Sequence, residues 1–274
     1  MEKPLVSFIL GVYNTQNFND LDRSFKTMLE QSYGNTEIIV CDDCSTNGVY
    51  EYIKSQYGDN KRVTIIQNRE NLGLNVSLNN CLKYVNGSYI ARQDDDDYSD
   101  IDRIQRQMNI LLSDSDIAFV SAGLVKFDDE GEWDPFIPKE NPVKNDFLNH
   151  SPFAHAVSIF RKEAIIAVGG YRISPETVRC EDYDLFMRLT AAGFKGKNIP
   201  EVLYYYNKDR GQKIKRTFKN CYNEFVVRRK GYRIMRLPIW SLLFSLKPII
   251  VYLIPSFVSL YIKKIISNRY VIKN

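Results

Sequence analysis

The sequence predicts an α/β fold, with helices on both faces of a mixed, mostly parallel sheet and a C-terminal helical, membrane-associating extension. Two observations predict the sheet: apolar runs alternate with stretches of helical spacing up to residue 93, and several of these runs end in acidic residues. Parallel strands need a crossover connection, usually a helix, so this alternation is typical of a parallel sheet. With 274 residues, 44% of them apolar, the chain can bury a complete core.

The first strands and helices follow one another regularly. Residues 5–10 are nearly all apolar and predict a strand, after which Leu21, Phe25 and Met28 recur at the spacing of a helix. The same pair of patterns then repeats along the chain. The predicted strands are residues 5–10, 37–41, 62–66 and 88–93, and the predicted helices contain residues 21–29, 49–53 and 76–85.

The pattern changes after residues 117–120, which predict a further strand. Residues 128–131 predict a hairpin turn, and the proline-containing residues 135–152 predict a surface loop. The remaining elements are a strand at 157–160, a short helix ended by Gly169 and Gly170, an amphipathic helix at 181–192 ended by Gly193, and a strand at 202–206.

Charge separates residues 1–206 from a tail at residues 207–274. Residues 208–274 contain 16 Lys and Arg but only two acids, a net charge of +14 that leaves −10 for the rest. Nucleic acid, acidic lipid or a phosphorylated substrate would suit this charge. Residues 237–262 are strongly apolar, but their longest uncharged stretch has 15 residues, fewer than the about 20 of a spanning helix. Aromatic residues beside lysines predict two short helices in one membrane leaflet, with a helical pair packed on the domain as the alternative.

The cysteines and the start of the chain indicate a cytoplasmic protein. Five scattered cysteines, an odd number, are typical of reduced thiols. Cys41 and Cys44 have the spacing of half a zinc site, but no second pair completes it, which favours core or turn thiols. The first residues lead directly into a strand, so no signal peptide is expected.

Acidic residues lie at the ends or starts of three predicted elements: Asp42 with Asp43, residues 94–97, and Glu181 with Asp182. Open α/β sheets bind ligands at the carboxyl ends of their strands, so folding can bring these acids to one cleft. Four adjacent carboxylates repel one another unless a cation is bound. Residues 94–97 therefore predict a divalent-metal site, with a solvated acidic turn as the alternative.

A calcium-binding EF-hand is the competing interpretation of an aspartate-rich loop. Counted from Asp94, Ser99 and Gln105 stand where that loop has Gly and Glu. An EF-hand is therefore disfavoured.

Five motifs in a fixed order carry a resemblance to a known family. They are residues 6–14, 42–46, 93–97, 169–171 and 181–185, with the sequences VSFILGVYN, DDCST, QDDDD, GGY and EDYDL. Together they resemble a family 2 glycosyltransferase, a nucleotide-diphospho-sugar transferase with the Rossmann-like GT-A fold, over about residues 4–206. Cys44 departs from the pattern, because the family usually has Gly there. The resemblance implies a glycosyltransferase domain at residues 1–206.

The resemblance also implies a donor site. Tyr13 and Asp43 would flank the nucleobase, and Asp43 would accept a hydrogen bond from the N3 imide of uracil, which cytosine lacks. A helix N-cap or Asx-turn role is the alternative for Asp43. Arg92 would contact the diphosphate or the sugar, with an ordinary ion pair to the aspartates equally open.

The cofactor implied is Mn²⁺ or Mg²⁺. Asp96 matches the family's metal ligand, and Asp94 is the other half of the motif, reaching the metal or the sugar hydroxyls. Hard oxygen ligands select these ions over softer metals, and the ion would offset charge on the leaving diphosphate. Asp95 and Asp97 exceed the motif and could support the ligands or be solvated.

On the acceptor side, Asp182 would be the general base and Glu181 would support or orient it. The alternative is that both acids are simply favoured by the dipole at the start of a helix. His155, Gly170 and Tyr171 would lie beside the acceptor or a phosphate, with a purely structural histidine equally open.

The implied activity is inverting transfer of one sugar, since the Gln-x-x-Arg-Trp motif of processive relatives is absent. The implied partners are a UDP-sugar, a lipid-diphosphate-linked saccharide in surface polysaccharide biosynthesis, and the anionic inner face of the cell membrane, with no nucleic acid. Residues 208–219 could close over the diphosphate or contact acidic lipid. The alternatives are a nucleotidyltransferase, although a glycine-rich phosphate loop is missing after the first strand, and a non-catalytic nucleotide-sugar-binding membrane module.

Overall fold

The computed structural model describes residues 3–211 and 217–254 of the chain. Nine strands are present in this part: β1 (Val6–Val12), β2 (Thr36–Asp42), β3 (Val63–Gln67), β4 (Tyr89–Arg92), β5 (Tyr98–Ser99), β6 (Ile117–Asp128), β7 (Gly131–Phe136), β8 (Ile159–Arg161) and β9 (Lys195–Asn207). They form one sheet in the order β3-β2-β1-β4-β8-β6-β9-β5, with β7 paired to β6.

Eight α-helices accompany the sheet in the described residues. They are α1 (Phe18–Leu29), α2 (Val49–Tyr57), α3 (Leu74–Leu82), α4 (Arg103–Ser113), α5 (Lys162–Ala167), α6 (Glu181–Ala191), α7 (Phe218–Ile234) and α8 (Lys247–Leu253). Short 3-10 helices are found at Lys144–Leu148, Pro175–Thr177 and Ile239–Leu246.

The sheet is parallel in its first half and mixed in its second. β1 pairs in parallel with β2 and β4, and β2 with β3. β8 then enters antiparallel between β4 and β6, whereas β6 and β9 are parallel. The predicted α/β fold with a mixed sheet and flanking helices is confirmed. The parallel strands β1, β2 and β4 end on one edge, where β4 leads into the aspartate row.

Core residues lie on both faces of the sheet because side chains alternate along each strand. In β1, Phe8 and Leu10 belong to one core cluster, whereas Ile9 belongs to the other. Phe25 of α1 packs in the first cluster and Leu78 of α3 in the second. Strands buried on both faces have the nearly continuous apolar sequence by which they were predicted.

Several elements differ from the sequence-based prediction. α4 and β5 were not predicted, and β6 and β9 are much longer than the predicted strands at 117–120 and 202–206. The extensions contain the buried polar residues Ser121 and Asn198, whose side chains donate hydrogen bonds to the carbonyls of Ala154 and Lys139 and interrupt the apolar pattern. The predicted loop at 135–152 contains the end of β7 and a 3-10 helix that buries Phe147.

The described part of the tail contains two consecutive short helices, Ile239–Leu246 and α8, both of which contact α7. Two short helices were predicted here, and the first of them also contacts the 3-10 helix Lys144–Leu148 of the domain. Their place in a membrane leaflet stays a prediction. No helix in residues 3–211 or 217–254 is long and apolar enough to cross a membrane. Residues 255–262 of the predicted tail helices and 212–216 of the predicted lid lie outside the described residues.

Candidate active site

The row of four aspartates forms the loop between β4 and β5 and is held from three sides. The backbone N–H of Asp94 donates to the Tyr204 hydroxyl of β9 (3.0 Å), and the Ser24 hydroxyl of α1 donates to the Asp94 carbonyl (2.8 Å). From α4, the Arg103 guanidinium donates to the Arg92 carbonyl (2.6 Å). These contacts fix the backbone of the loop before any ligand binds.

Arg103 is fully buried and bonds to neutral acceptors only. Besides the Arg92 carbonyl, it donates to the Ser99 hydroxyl (2.7 Å), the Gln93 amide oxygen (3.1 Å) and Gln107 (3.3 Å). Burial without a carboxylate partner lowers the pKa of Arg103 to about 10. The α4 helix, absent from the sequence-based prediction, therefore braces the start of the acidic loop.

The two surplus aspartates tie the loop to neighbouring strands. Asp95 accepts a hydrogen bond from the Thr15 hydroxyl, which follows β1. Asp97 is fully buried and accepts from the backbone N–H of Asn207 at the end of β9 (2.7 Å). Burial raises the pKa of both carboxyls. Neither is a solvated surface acid, and both position the loop that carries the other two.

Asp94 and Asp96 have different surroundings. Asp94 forms an ion pair with the buried Arg92. Among the described residues, no other residue donates a hydrogen bond to the Asp96 carboxylate. Burial, and then the charges of Asp95 and Asp94, raise the pKa of Asp96 to about 7. In the part of the chain that the structure describes, the Asp96 carboxylate therefore lacks a partner that would compensate its charge.

These residues fit a divalent cation. The loop holds four carboxylates, and in the described part of the chain Arg92 is the one cation paired with it. No group of three or more His, Cys, Asp or Glu side chains is arranged to hold a metal within residues 3–211 and 217–254. Mg²⁺ is commonly bound by one or two carboxylates together with substrate phosphates, and Asp96 with Asp94 would supply that number.

One cavity of about 490 Å³ brings the acidic loop and the start of α6 together. Of the predicted site residues, Arg92, Asp94, His155, Glu181 and Asp182 line it. Its other lining residues are Leu74, Leu124, Lys126, Ala154, Ala156, Arg179 and Tyr206. Residues almost 90 positions apart in sequence therefore share one cleft.

Glu181 and Asp182 form the first turn of α6, directly after Cys180. Burial, and then the charge of Asp182, raise the pKa of Glu181 to about 7, and burial also raises the pKa of Asp182. Because the two carboxyls interact, they titrate as a pair. A carboxylate with a raised pKa at the wall of a cleft is suited to accept a proton from a substrate hydroxyl.

His155 lines the cavity, whereas Gly170 and Tyr171 lie behind it. The Nε2 atom of His155 is 2.8 Å from the Tyr171 hydroxyl. Burial and the nearby Arg92 hold the pKa of His155 well below its usual value, so the imidazole is neutral. Gly170 adopts φ +70°, and a Cβ atom there would lie 2.6 Å from Asn79 Oδ1. Gly170 and Tyr171 therefore position His155 and α3 and do not line the cavity.

Tyr13 and Asp43 follow β1 and β2 and do not line this cavity. Tyr13 is half-exposed, and Asp43 is buried. The Asp43 carboxylate accepts hydrogen bonds from Asn68 Nδ2 (2.7 Å) and from the N–H groups of Leu72 (2.9 Å) and Gly73 (2.7 Å). Asp42, not Asp43, forms the local turn, accepting from the Ser45 N–H (3.0 Å).

The sequence-based prediction missed Lys126, Arg179 and Tyr206 as cleft residues. Lys126 lies on the extension of β6 beyond the predicted strand, and it pairs with Tyr206, the last residue of the predicted strand at 202–206. Only the register of β6 against β9 brings the two residues to the cavity. Arg179 stands two residues before Glu181, so its position beside the predicted base was the available signal. It adopts φ +63°, an uncommon conformation for a residue other than glycine.

Comparison with known proteins identifies the family of the chain. The profile of glycosyl transferase family 2 matches residues 7–169. The chain is 34% identical to the glycosyltransferase EpsE of Bacillus subtilis over 270 residues, covering 97% of this chain and 96% of that protein. It is 24% identical to the amylovoran biosynthesis glycosyltransferase AmsE of Erwinia amylovora over 204 residues, or 73% and 74% of the two chains.

Two solved structures have a similar fold. Residues 1–349 of S. aureus TarS, in complex with UDP-GlcNAc, match with a TM-score of 0.67 at 15% identity, over 89% of this chain and 70% of that chain. The mannosyltransferase PcManGT of Pyrobaculum calidifontis, in complex with GDP-Man and Mn²⁺, matches with a TM-score of 0.63 at 16% identity, over 97% and 80%. At such identities the match shows the shared fold.

Proposed function

The chain belongs to glycosyl transferase family 2, and from this we propose that it is an inverting, metal-dependent glycosyltransferase. It would transfer one sugar from a UDP-sugar to a saccharide carried on a lipid diphosphate, in surface polysaccharide biosynthesis. One observation carries the proposal: a single cavity is lined by Arg92 and Asp94 of the acidic loop and by Glu181 and Asp182 of α6. That cavity can hold a donor diphosphate and an acceptor hydroxyl together.

The preference for a uracil nucleotide rests on Asp43. Its Oδ2 atom accepts one hydrogen bond, from the Gly73 N–H, and so keeps a lone pair for the N3–H of uracil. Tyr13 follows β1 and is half-exposed, and its ring would stack on the base. A cytosine presents an acceptor at N3, which a carboxylate repels.

The chemical step follows from the acids of α6. Asp182 would take the proton of the acceptor hydroxyl as that oxygen attacks the anomeric carbon and the bond to the diphosphate breaks, which inverts the carbon. Glu181 would keep the pair's pKa high enough for proton transfer near neutral pH. A Mn²⁺ or Mg²⁺ ion held by Asp96 and Asp94 would supply positive charge for the leaving diphosphate. Arg92 would orient Asp94 for this role.

The acceptor class rests on the relatives and the tail. AmsE is a glycosyltransferase of amylovoran biosynthesis, and the strongly basic residues 208–274 suit an anionic lipid surface. A lipid-diphosphate acceptor combines an apolar anchor with negative charge, which explains both features of this tail.

The purified protein with Mn²⁺ should slowly hydrolyse one UDP-sugar of a panel and release UDP. UDP should raise the melting temperature in the presence of Mn²⁺, and CDP should bind at least about tenfold more weakly because it lacks the N3 proton. Thermal shift and UDP release are the measurements.

Other outcomes point to other functions. Release of diphosphate from UTP and a sugar phosphate would indicate a nucleotidyltransferase. UDP binding without turnover, with any acceptor tried, would indicate a binding module. Equal affinity for UDP and CDP would contradict the role of Asp43.

A membrane-facing role for the tail is supported by an inverted burial pattern. In the helix Ile239–Leu246, Ser241 and Ser245 are buried against the domain, whereas Ile239 is 84% and Leu243 68% exposed. A helix on a water-exposed surface normally shows the opposite pattern. Exposed apolar patches of this kind mark sites of interaction with membranes or proteins. The basic residues of α7 beside it favour an anionic bilayer.

Replacing the two exposed residues, Ile239→Asp with Leu243→Asp, should release the protein from phosphatidylglycerol vesicles. Two apolar side chains that would be buried in the bilayer are lost, and two negative charges would face an anionic surface. Vesicle binding should therefore fall at least about tenfold. Sedimentation with vesicles measures it. The matched control is Ile101→Asp with Ile137→Asp, two comparably exposed isoleucines elsewhere. Unchanged sedimentation of the first variant would refute the membrane-facing role.

A further inference from the structure

A second cavity, of about 450 Å³, lies beside the active-site cleft. Its apolar lining residues are Leu72, Leu74, Val76, Ile173, Pro175 and Val178, and these residues are called the aliphatic groove. Ile173 is 65% and Val178 55% exposed, so the groove opens to solvent. The volume lies within the range of about 300–1,000 Å³ typical of small-molecule sites.

The aliphatic groove is continuous with the cleft. Leu74, Arg179 and Glu181 line both cavities, so a ligand can extend from one to the other past the proposed catalytic pair. The groove therefore lies where the far end of an acceptor would be placed.

The lining favours an aliphatic ligand over a sugar. Within residues 3–211 and 217–254, no aromatic side chain lines the groove, so this part of the chain offers no stacking platform for a sugar ring. Its uncharged polar side chains are committed to internal bonds: Asn75 donates to the Arg172 carbonyl (2.9 Å), and Ser174 donates to Glu176. Apart from the charged Arg179 and Glu181, the groove offers a ligand apolar surface.

One positive charge stands at the junction of groove and cleft. Arg179 lines both cavities, is exposed, and makes no hydrogen bond or ion pair with any residue in the part of the chain that the structure describes. Its backbone is left-handed, with φ +63°, a conformation that is costly for a residue other than glycine. An unpaired guanidinium next to an apolar groove suits a ligand that joins an anion to an aliphatic chain.

The groove also adjoins the apolar part of the tail through α7. Asn223 of α7 donates to the Pro175 carbonyl at the groove (3.0 Å), and the ring of Phe218 lies 5.8 Å from that of Tyr252 in α8. A chain that enters from a membrane surface bound by the tail would reach the groove along α7.

We propose that the aliphatic groove binds the first aliphatic segment of a lipid-diphosphate acceptor, with Arg179 contacting its diphosphate. This inference rests on the proposed function for the identity of the acceptor. The proposal adds the residues that bind the lipid part of the acceptor and that distinguish this acceptor from a free saccharide.

The test uses geranyl diphosphate, a soluble ten-carbon probe, with the full chain and saturating UDP and Mn²⁺ to occupy the donor site. Geranyl diphosphate should bind at least about tenfold more tightly than inorganic diphosphate, because burial of its apolar carbons adds affinity. Val178→Asp and Arg179→Ala should each weaken geranyl diphosphate at least about tenfold. Isothermal titration calorimetry measures these four affinities.

Two control variants match the test variants in side-chain exposure and, for the arginine, in backbone conformation. Ile166 is 54% exposed, like Val178, and Arg236 is an exposed arginine with a left-handed backbone, like Arg179. Ile166→Asp and Arg236→Ala should leave the affinity for geranyl diphosphate unchanged. Thermal melting of each variant identifies any that fail to fold.

Three results would overturn the proposal: equal affinity for the two diphosphates, competition between UDP and geranyl diphosphate, or no binding because another segment of the chain fills the groove. A failure of the proposed function would give a different set of results. UDP-sugar would then not be hydrolysed or transferred, whereas selective binding of geranyl diphosphate, dependent on Val178 and Arg179, would persist.

Discussion

Asp182→Asn should reduce sugar transfer about a thousandfold while leaving UDP affinity within about twofold. The substitution keeps the shape of the side chain but removes its ability to take a proton, and a positioned base contributes about a hundredfold to ten-thousandfold. Steady-state transfer to an acceptor and UDP binding by calorimetry are the two measurements. Asp116→Asn, at an exposed carboxylate paired with Lys195, is the control.

The pH dependence supplies an independent readout of the same pair. Transfer should rise with pH as the pair loses its proton, because a base acts only when deprotonated. Burial, and then the charge of Asp182, raise the pKa of Glu181 to about 7, and the electrostatic interaction between the two carboxyls works in both directions. Glu181→Gln should therefore let Asp182 ionise at lower pH and shift the rising limb of the profile downward. An unchanged limb, or full activity in Asp182→Asn, would show that another group is the base.

Asp96→Asn should reduce transfer about a thousandfold and abolish the Mn²⁺-dependent part of UDP binding. A divalent ion contributes several kcal/mol of charge stabilisation, and a neutral amide is a poor ligand for it. The measurements are transfer rate and UDP affinity, each with Mn²⁺ and with a chelator. When a chelator removes the metal, the variant and the natural chain should have the same affinity for UDP.

Asp95→Asn is the matched control for this loop. An asparagine there can still accept the hydrogen bond of the Thr15 hydroxyl, so the loop is retained and activity should stay within about tenfold. An equal loss of sugar transfer in Asp95→Asn and Asp96→Asn would show that only the total charge of the four aspartates matters. It would refute a specific metal-ligand role for Asp96.

The alternating part of the fold was predictable because its strands are buried on both faces. β1 to β4 read as apolar runs, and the helices between them show helical spacing. α4 was missed although Ile104, Met108 and Leu111 have helical spacing, because its other buried residues, Arg103 and Gln107, are polar. Polar residues are tolerated there because they hydrogen-bond to the acidic loop and β6.

The predicted site residues divide in a similar way. One cavity is lined by Arg92, Asp94, His155, Glu181 and Asp182, whereas the predicted residues Tyr13, Asp43 and Asp96 do not line it and Gly170 and Tyr171 lie behind it. Lys126 and Tyr206 could not be predicted as cleft residues, since the register between β6 and β9 leaves no periodic signal in the sequence. Arg92 forms an ion pair with Asp94 and also lines the cleft, so its two interpretations are compatible.

By itself the sequence determined the α/β class, the order of its first strands and the residue types that carry the chemistry, because burial and charge are written locally in the chain. The tertiary structure alone decided which acids are buried, which are paired, and which face a shared cavity. The structure shows that Asp95 and Asp97, which exceed the predicted motif, hydrogen-bond to neighbouring segments and position the acidic loop. It also places Arg179 between the cleft and the aliphatic groove. These properties depend on contacts between residues far apart in sequence, and no local pattern records them.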